Sequence, residues 1–210
     1  MPVIDKALPK QRERVKHHAS MPYAEVPAFL RKLRERESMG RLALEAVILT
    51  ATRSGEVRLA QWVEIDLDAR TWTIPAEKMK AGREHVVPLS DAAVRFFERM
   101  KAHKRGDCDL VFPGQRRAKP LSDMTLTKAM RDAGLAYTAH GFRTSFRTWA
   151  GEQTSYPREV AEAAIAHVNK DKVEAAYLRT DFFDKRRALM QAWADYCEGT
   201  GGGNVVRLAS

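Results

Sequence analysis

His140 and Arg143, in the run HGFR, combine residue types and a spacing suited to phosphate chemistry. On a helix, positions i and i+3 share one face, so imidazole and guanidinium project together. A guanidinium fork holds two phosphate oxygens at once, and an imidazole beside it donates or shuttles a proton. The pattern H-x-x-R also arises often by chance, and taken alone a plain surface role is the commoner explanation. Arg53, in TATRSGE, directly follows an almost wholly apolar run. A charge so close to a core must be paired or must face a ligand. Glu56 offers a structural ion pair, and an acid that fixes an arginine also orients it for phosphate.

Three further residues follow the same logic. Lys80 lies in KMKAGREHVVP, where a hairpin tip is expected. Such lysines are usually solvated, yet a hairpin can carry an ammonium into a DNA groove and protonate a leaving oxygen. His167, in AIAH, stands near a helix end, where a C-terminal cap is the ordinary role. Tyr177, in AAYLR, taken alone reads first as a core tyrosine on an amphipathic helix with its hydroxyl satisfied, and only second as a nucleophile.

The elements that must position these residues are legible from patterning. Helical periodicity begins near Tyr23, with Val26, Phe29, Leu30 and Leu33 on one face and Pro27 tolerable in a first turn. Residues 42–50 are apolar nearly all round, as in a central buried helix, with Arg53 in the turn that ends it. Residues 58–89 turn β-rich: WVEIDL, TWTIP and EHVVPL predict a three-stranded meander with DAR at the first turn and Lys80 at the second bend. Ser90 should cap a helix to about residue 103, and Ser122 another that stops at Gly134. Helices are expected at about 140–152, 157–166, 170–178 and 184–198. The fold class is therefore mainly α with one small antiparallel sheet.

Charge narrows the partners. The formal net charge is +9, and residues 1–41 carry ten Lys/Arg against five Asp/Glu. The excess favours a polyanion, nucleic acid first, although a solvated basic arm explains it too. Residues 1–21 read as a basic linker or arm, 22–198 as one domain, and 199–210, rich in glycine, as a flexible tail. Cys108 and Cys197 match no metal or redox spacing and are expected to be reduced thiols. No secretory signal or membrane span is read, so a cytoplasmic protein is expected. No tight His/Asp/Glu cluster suggests a metal or other cofactor.

The ordered set Arg53, Lys80, His140-x-x-Arg143, His167 and Tyr177 resembles the active-site signature of tyrosine recombinases, the phage integrase family. TATRSGEVRLAQW resembles the first family box, T-G-x-R-x-x-E-x-x-x-L, and HGFRTSFRTWA the second. KAGREHVVPLS resembles the hairpin that carries the family lysine. Lys80 takes that place because it stands eight residues before Pro88, with Lys78 as the fallback. IAH and AAYLRT resemble the closing segment of prophage-type integrases. The likeness runs from about residue 22 to 195. Departures are Ala51 and Ala166 where the family commonly has glycine, and Phe142 and Thr144 in the second box.

The resemblance implies a tyrosine recombinase catalytic domain with type IB topoisomerase-like strand transfer. Arg53 and Arg143 would hold the scissile phosphate, His140 and His167 would add hydrogen bonds, Lys80 would protonate the departing 5′-oxygen, and Tyr177 would attack phosphorus. It implies duplex DNA of attachment type as partner, a homotetramer on DNA, no metal and no small-molecule cofactor. Residues 184–198, with Leu189, Trp193 and Tyr196, could be exchanged between neighbours or pack on their own domain. Family members usually carry arm-binding and core-binding domains first; their absence here implies a cloned fragment or a truncated product. Rival readings are a non-catalytic DNA-binding module, a metal-dependent nuclease and a degenerate integrase remnant.

Overall fold

A computed structural model describes residues 19–106, 108–116, 118–167 and 181–200. The expected basic arm therefore lies almost wholly outside the described residues. So do Tyr177, the helix expected at 170–178, and most of the tail.

The centre is helix α2 (Met39–Thr50), capped by the Ser38 hydroxyl, which accepts from Arg41 N. Its residues 42–50 are all buried, as the apolar run requires. Glu45 is buried among them because two guanidinia reach it: Arg34 Nε at 2.8 Å and Arg99 Nη2 at 2.9 Å. Around α2 pack α1 (Val26–Arg34), α3 (Ser54–Arg58), α4 (Asp91–Met100), α5 (Met124–Asp132), α6 (Gly141–Gln153) and the last helix, α8 (Phe183–Glu198). Between α6 and α8 lies α7 (Arg158–Ala164), which packs on both.

The meander forms in the expected order, β1 (Ile65–Asp66), β2 (Thr71–Ile74) and β3 (His85–Pro88), all antiparallel. The first strand is shorter than patterning suggests. Residues Trp62–Glu64 instead form a single 3₁₀ turn, because the Glu64 carboxylate accepts from Gln61 N and from Trp72 Nε1. The Ser90 cap is present, with its hydroxyl accepting from Ala93 N. The Ser122 cap is not. Its hydroxyl pairs with the Thr125 hydroxyl at 3.0 Å, and α5 starts two residues later, though it ends at Gly134 with positive φ as expected.

Helix α8 packs on its own domain. Leu189 and Trp193 are buried, Trp193 Nε1 donates to Ile48 O at 2.7 Å, and the Trp193 and Tyr196 rings stack. Burying such side chains removes large apolar areas from water, which fixes the helix against α2. Of the two thiols, Cys197 is buried in α8, which pushes its pKa up, and Cys108 is partly buried; both are free. Among the described residues, no helix is long and apolar enough to cross a membrane.

Ala51 and Ala166 both hold left-handed backbone, at φ 52° and φ 47°. They end α2 and the turn after α7, at the positions where the resemblance expects glycine. A Cβ in this region costs about 1 kcal/mol, partly offset by the larger unfolded-state entropy of glycine. Ala51 is 1% exposed, so Ala51→Gly also forfeits a buried methyl worth about 0.8 kcal/mol. Ala166→Gly should therefore raise unfolding free energy by about 0.5–1 kcal/mol, and Ala51→Gly should leave it nearly unchanged. Urea unfolding of both variants checks the contrast.

Candidate active site

The site is organised by three successive backbone carbonyls at the C-terminal end of α7. Helix C-termini leave carbonyls without intrahelical donors and carry partial negative charge, so cations and N–H donors collect there. Ile165 O accepts from Arg143 Nη2, and Ala166 O accepts from Arg53 Nη2 at 3.2 Å. Ala164 O is 3.3 Å from His85 Nε2. One turn thus receives side chains from the end of α2, from α6 and from the hairpin.

Arg143 comes from the first turn of α6 and is 5% exposed, which removes the surface reading for this residue. Its Nη1 donates to Ala51 O at 2.8 Å, tying α6 to the left-handed end of α2. Burial first, and then the nearby charge of Arg53, lower its pKa to about 10, so it stays cationic at neutral pH. Arg53 keeps the expected partner. Its Nη1 is 2.7 Å from Glu56 Oε1, while Glu56 Oε2 accepts from the Arg53 backbone N–H at 2.7 Å. The second bond makes Glu56 a capping acid for α3, so the same carboxylate starts the helix and aims the guanidinium. The Arg53 side chain remains 23% exposed.

His140 occupies the N-cap position of α6, exposed, one turn before Arg143. The helix start is held from outside: Thr138 N donates to Ala19 O, and Ser145 Oγ donates to Met21 O. A Cβ at Gly141 would lie 2.5 Å from Ala19 O, so glycine is required for this close approach. His167 is half exposed just after the α7 turn. Its Nδ1 lies 2.5 Å from Glu162 Oε2, and Glu162 also pairs with Arg147 Nε at 2.7 Å. This bond presents Nε2 of His167 away from Glu162.

The hairpin separates the two candidate lysines. Lys78 Nζ donates to Leu59 O and Gln61 Oε1, each at 2.8 Å, and to Glu64 Oε1. Those acceptors use the three hydrogens of an ammonium. Lys80 stands on the exposed tip, residues 80–84.

Arg53, Arg143, His167 and the start of the His140 helix are thus drawn together around one turn, and the base of the hairpin reaches the same turn. Tyr177 lies outside the described residues. Sequence reading missed His85, Glu162 and Arg186. His85 is largely buried, and burial and the nearby Arg186 charge lower its pKa to about 4, so the ring is neutral. A carbonyl only accepts, so Nε2 is the protonated nitrogen. The signal was present for His85, a polar residue pointing inward from a strand in EHVVPL. Chemically, two guanidinia held at one helix end, with Glu162 shared with a third on Arg147, suit a phosphodiester.

Comparison with known proteins gives the same direction. The model of the phage integrase family matches residues 20–183. Prophage integrase IntA of Escherichia coli K12 is 40% identical over 162 residues, 76% of this chain and 39% of that protein. Prophage integrase IntZ of the same strain is 38% identical over 206 residues, 97% of this chain and 51% of its own. The chain thus spans about half or less of the length of these relatives. A lambda integrase tetramer bound to a Holliday junction shares the fold at a TM-score of 0.56 and 19% identity, over 76% of this chain and 50% of that one.

Proposed function

The chain belongs to the phage integrase family, and from that premise we propose that it cuts and rejoins DNA through a 3′-phosphotyrosine in site-specific recombination. The observation that carries this reading is the pair of guanidinia, Arg53 and Arg143, donating to consecutive carbonyls of one turn. Their remaining N–H groups are the donors for non-bridging oxygens of a scissile phosphate, where charge builds in the pentavalent transition state.

Tyr177 is the nucleophile. Its hydroxyl oxygen bonds to phosphorus as the bond from phosphorus to the 5′-oxygen breaks. His140 accepts the phenolic proton, Lys80 supplies a proton to the departing 5′-oxygen, and His167 donates to the phosphate. The phosphotyrosine conserves the bond energy, and a 5′-hydroxyl from a partner strand reverses the step without ATP. The saturated ammonium of Lys78 supports Lys80 as the acid, because Lys78 would have to break three hydrogen bonds to act.

Residues 22–198 form the catalytic unit, preceded by a basic arm and followed by a short tail. The partner is duplex DNA of attachment type, contacted mainly at phosphates, and binding weakens steeply with salt. Assembly is a tetramer on two duplexes; the lambda integrase that shares the fold is a tetramer bound to a Holliday junction. The cell compartment is the cytoplasm, on the nucleoid.

The test is incubation with a nicked suicide duplex in EDTA, followed by denaturing electrophoresis. A covalent protein–DNA band is expected. Cleavage that needs a divalent ion and leaves no band would replace this reading with a metal-dependent nuclease.

A further inference from the structure

The exposed tip that carries Lys80 is anchored on both sides by groups the mechanism above does not use. On the N-terminal side, Lys78 is tied to Leu59, Gln61 and Glu64, and Met79 is buried. Residues 80–84 are all exposed, so the position of the Lys80 amine depends on what grips the chain at either end of the tip.

On the C-terminal side, two successive residues of β3 are gripped. His85 Nε2 reaches Ala164 O at 3.3 Å, which joins the hairpin to the turn whose next two carbonyls hold Arg143 and Arg53. Val86 O accepts from Arg186 Nη1 at 2.6 Å. Arg186 is 2% exposed and is itself locked, with Nε donating to Asp181 O at 2.6 Å and Nη2 to Asp181 Oδ2 at 2.7 Å. The contacts span 79 and 100 positions in sequence, so neither is a local consequence of hairpin formation.

We propose that His85 and Arg186 are positioning residues that set the Lys80 tip against the phosphate-binding turn, so that the ammonium meets the leaving oxygen. The proposal rests on the reading of Lys80 as the acid. His85 acts as a neutral donor, gripping one carbonyl of the same turn the arginines grip; arginines and lysine therefore share one reference frame. A shift of about 1 Å at such a tip is enough to cost roughly 10²-fold in rate.

The experiment compares two suicide duplexes, one ordinary and one with sulfur in place of the scissile 5′-bridging oxygen. A thiolate leaves without a proton, so the sulfur substrate bypasses the acid while still requiring nucleophile and arginines. Lys80→Ala should cleave the ordinary duplex at least tenfold more slowly and the sulfur duplex within about threefold of wild type. His85→Leu should show the same pattern, and His85→Gln, which keeps a side-chain N–H, should lose less than His85→Leu. If His85→Leu does not melt cooperatively, Arg186→Lys is measured in the same way. Equal loss on both duplexes, or no loss on the ordinary one, overturns the proposal. Failure of the sulfur duplex to rescue Lys80→Ala overturns the reading of Lys80 and the proposal with it.

Discussion

Arg143→Ala should lower the rate of covalent adduct formation by about 10³-fold and unfolding free energy by about 3–5 kcal/mol. Both losses come from one guanidinium. On the structural side, it bridges Ala51 O and Ile165 O inside the protein, and truncation orphans both acceptors. Each buried unsatisfied acceptor costs about 1–3 kcal/mol, and a cavity adds to that. On the chemical side, a preorganised donor aimed at the transition state is removed. Arg143→Lys separates the two effects. An ammonium restores charge but not the planar fork, so it should recover part of the stability and little of the rate. Urea unfolding and single-turnover cleavage on the suicide duplex measure them side by side. A variant with wild-type rate would remove Arg143 from the chemistry.

Tyr177→Phe should abolish the adduct altogether while leaving DNA affinity within about threefold of wild type at fixed salt. Phosphate contacts come from cations, and none is removed. Gel-shift titration and denaturing electrophoresis of the same samples check both halves. Adduct formation that survives the change would move the nucleophile elsewhere. Loss of binding together with the adduct would give Tyr177 a role in DNA contact instead.

How much was legible in the sequence follows from how far apart the interacting residues lie. The α2 run, the Arg53–Glu56 pair and the Ser90 cap are local, and each appears as patterning requires. The Ser122 cap failed because a second hydroxyl, on Thr125, competes for the same side chain. The first strand was overextended because Glu64 draws Gln61 and Trp72 toward its carboxylate, which periodicity does not register. The alanines at 51 and 166 were noted as departures from a glycine pattern, but the reason needs backbone geometry: both sit at positive φ, and both offer their carbonyl to a site arginine.

The common turn beneath the site was not legible at all. Its carbonyls belong to Ala164, Ile165 and Ala166, residues without functional side chains, and their donors arrive from 22 to 113 positions away. His85, Arg186 and Glu162 escaped notice for a related reason. Each is a single polar residue in an ordinary segment, given meaning only by an element that packs against it from elsewhere in the chain.

The most direct test of the account is to digest the denatured protein–DNA adduct with trypsin and nuclease and weigh the peptide that carries nucleotide. Cleavage after Lys172 and Arg179 releases VEAAYLR, in which Tyr177 is the sole hydroxyl-bearing side chain. The account predicts a nucleotide mass on this peptide, absent in Tyr177→Phe. Nucleotide mass on any other peptide would contradict it.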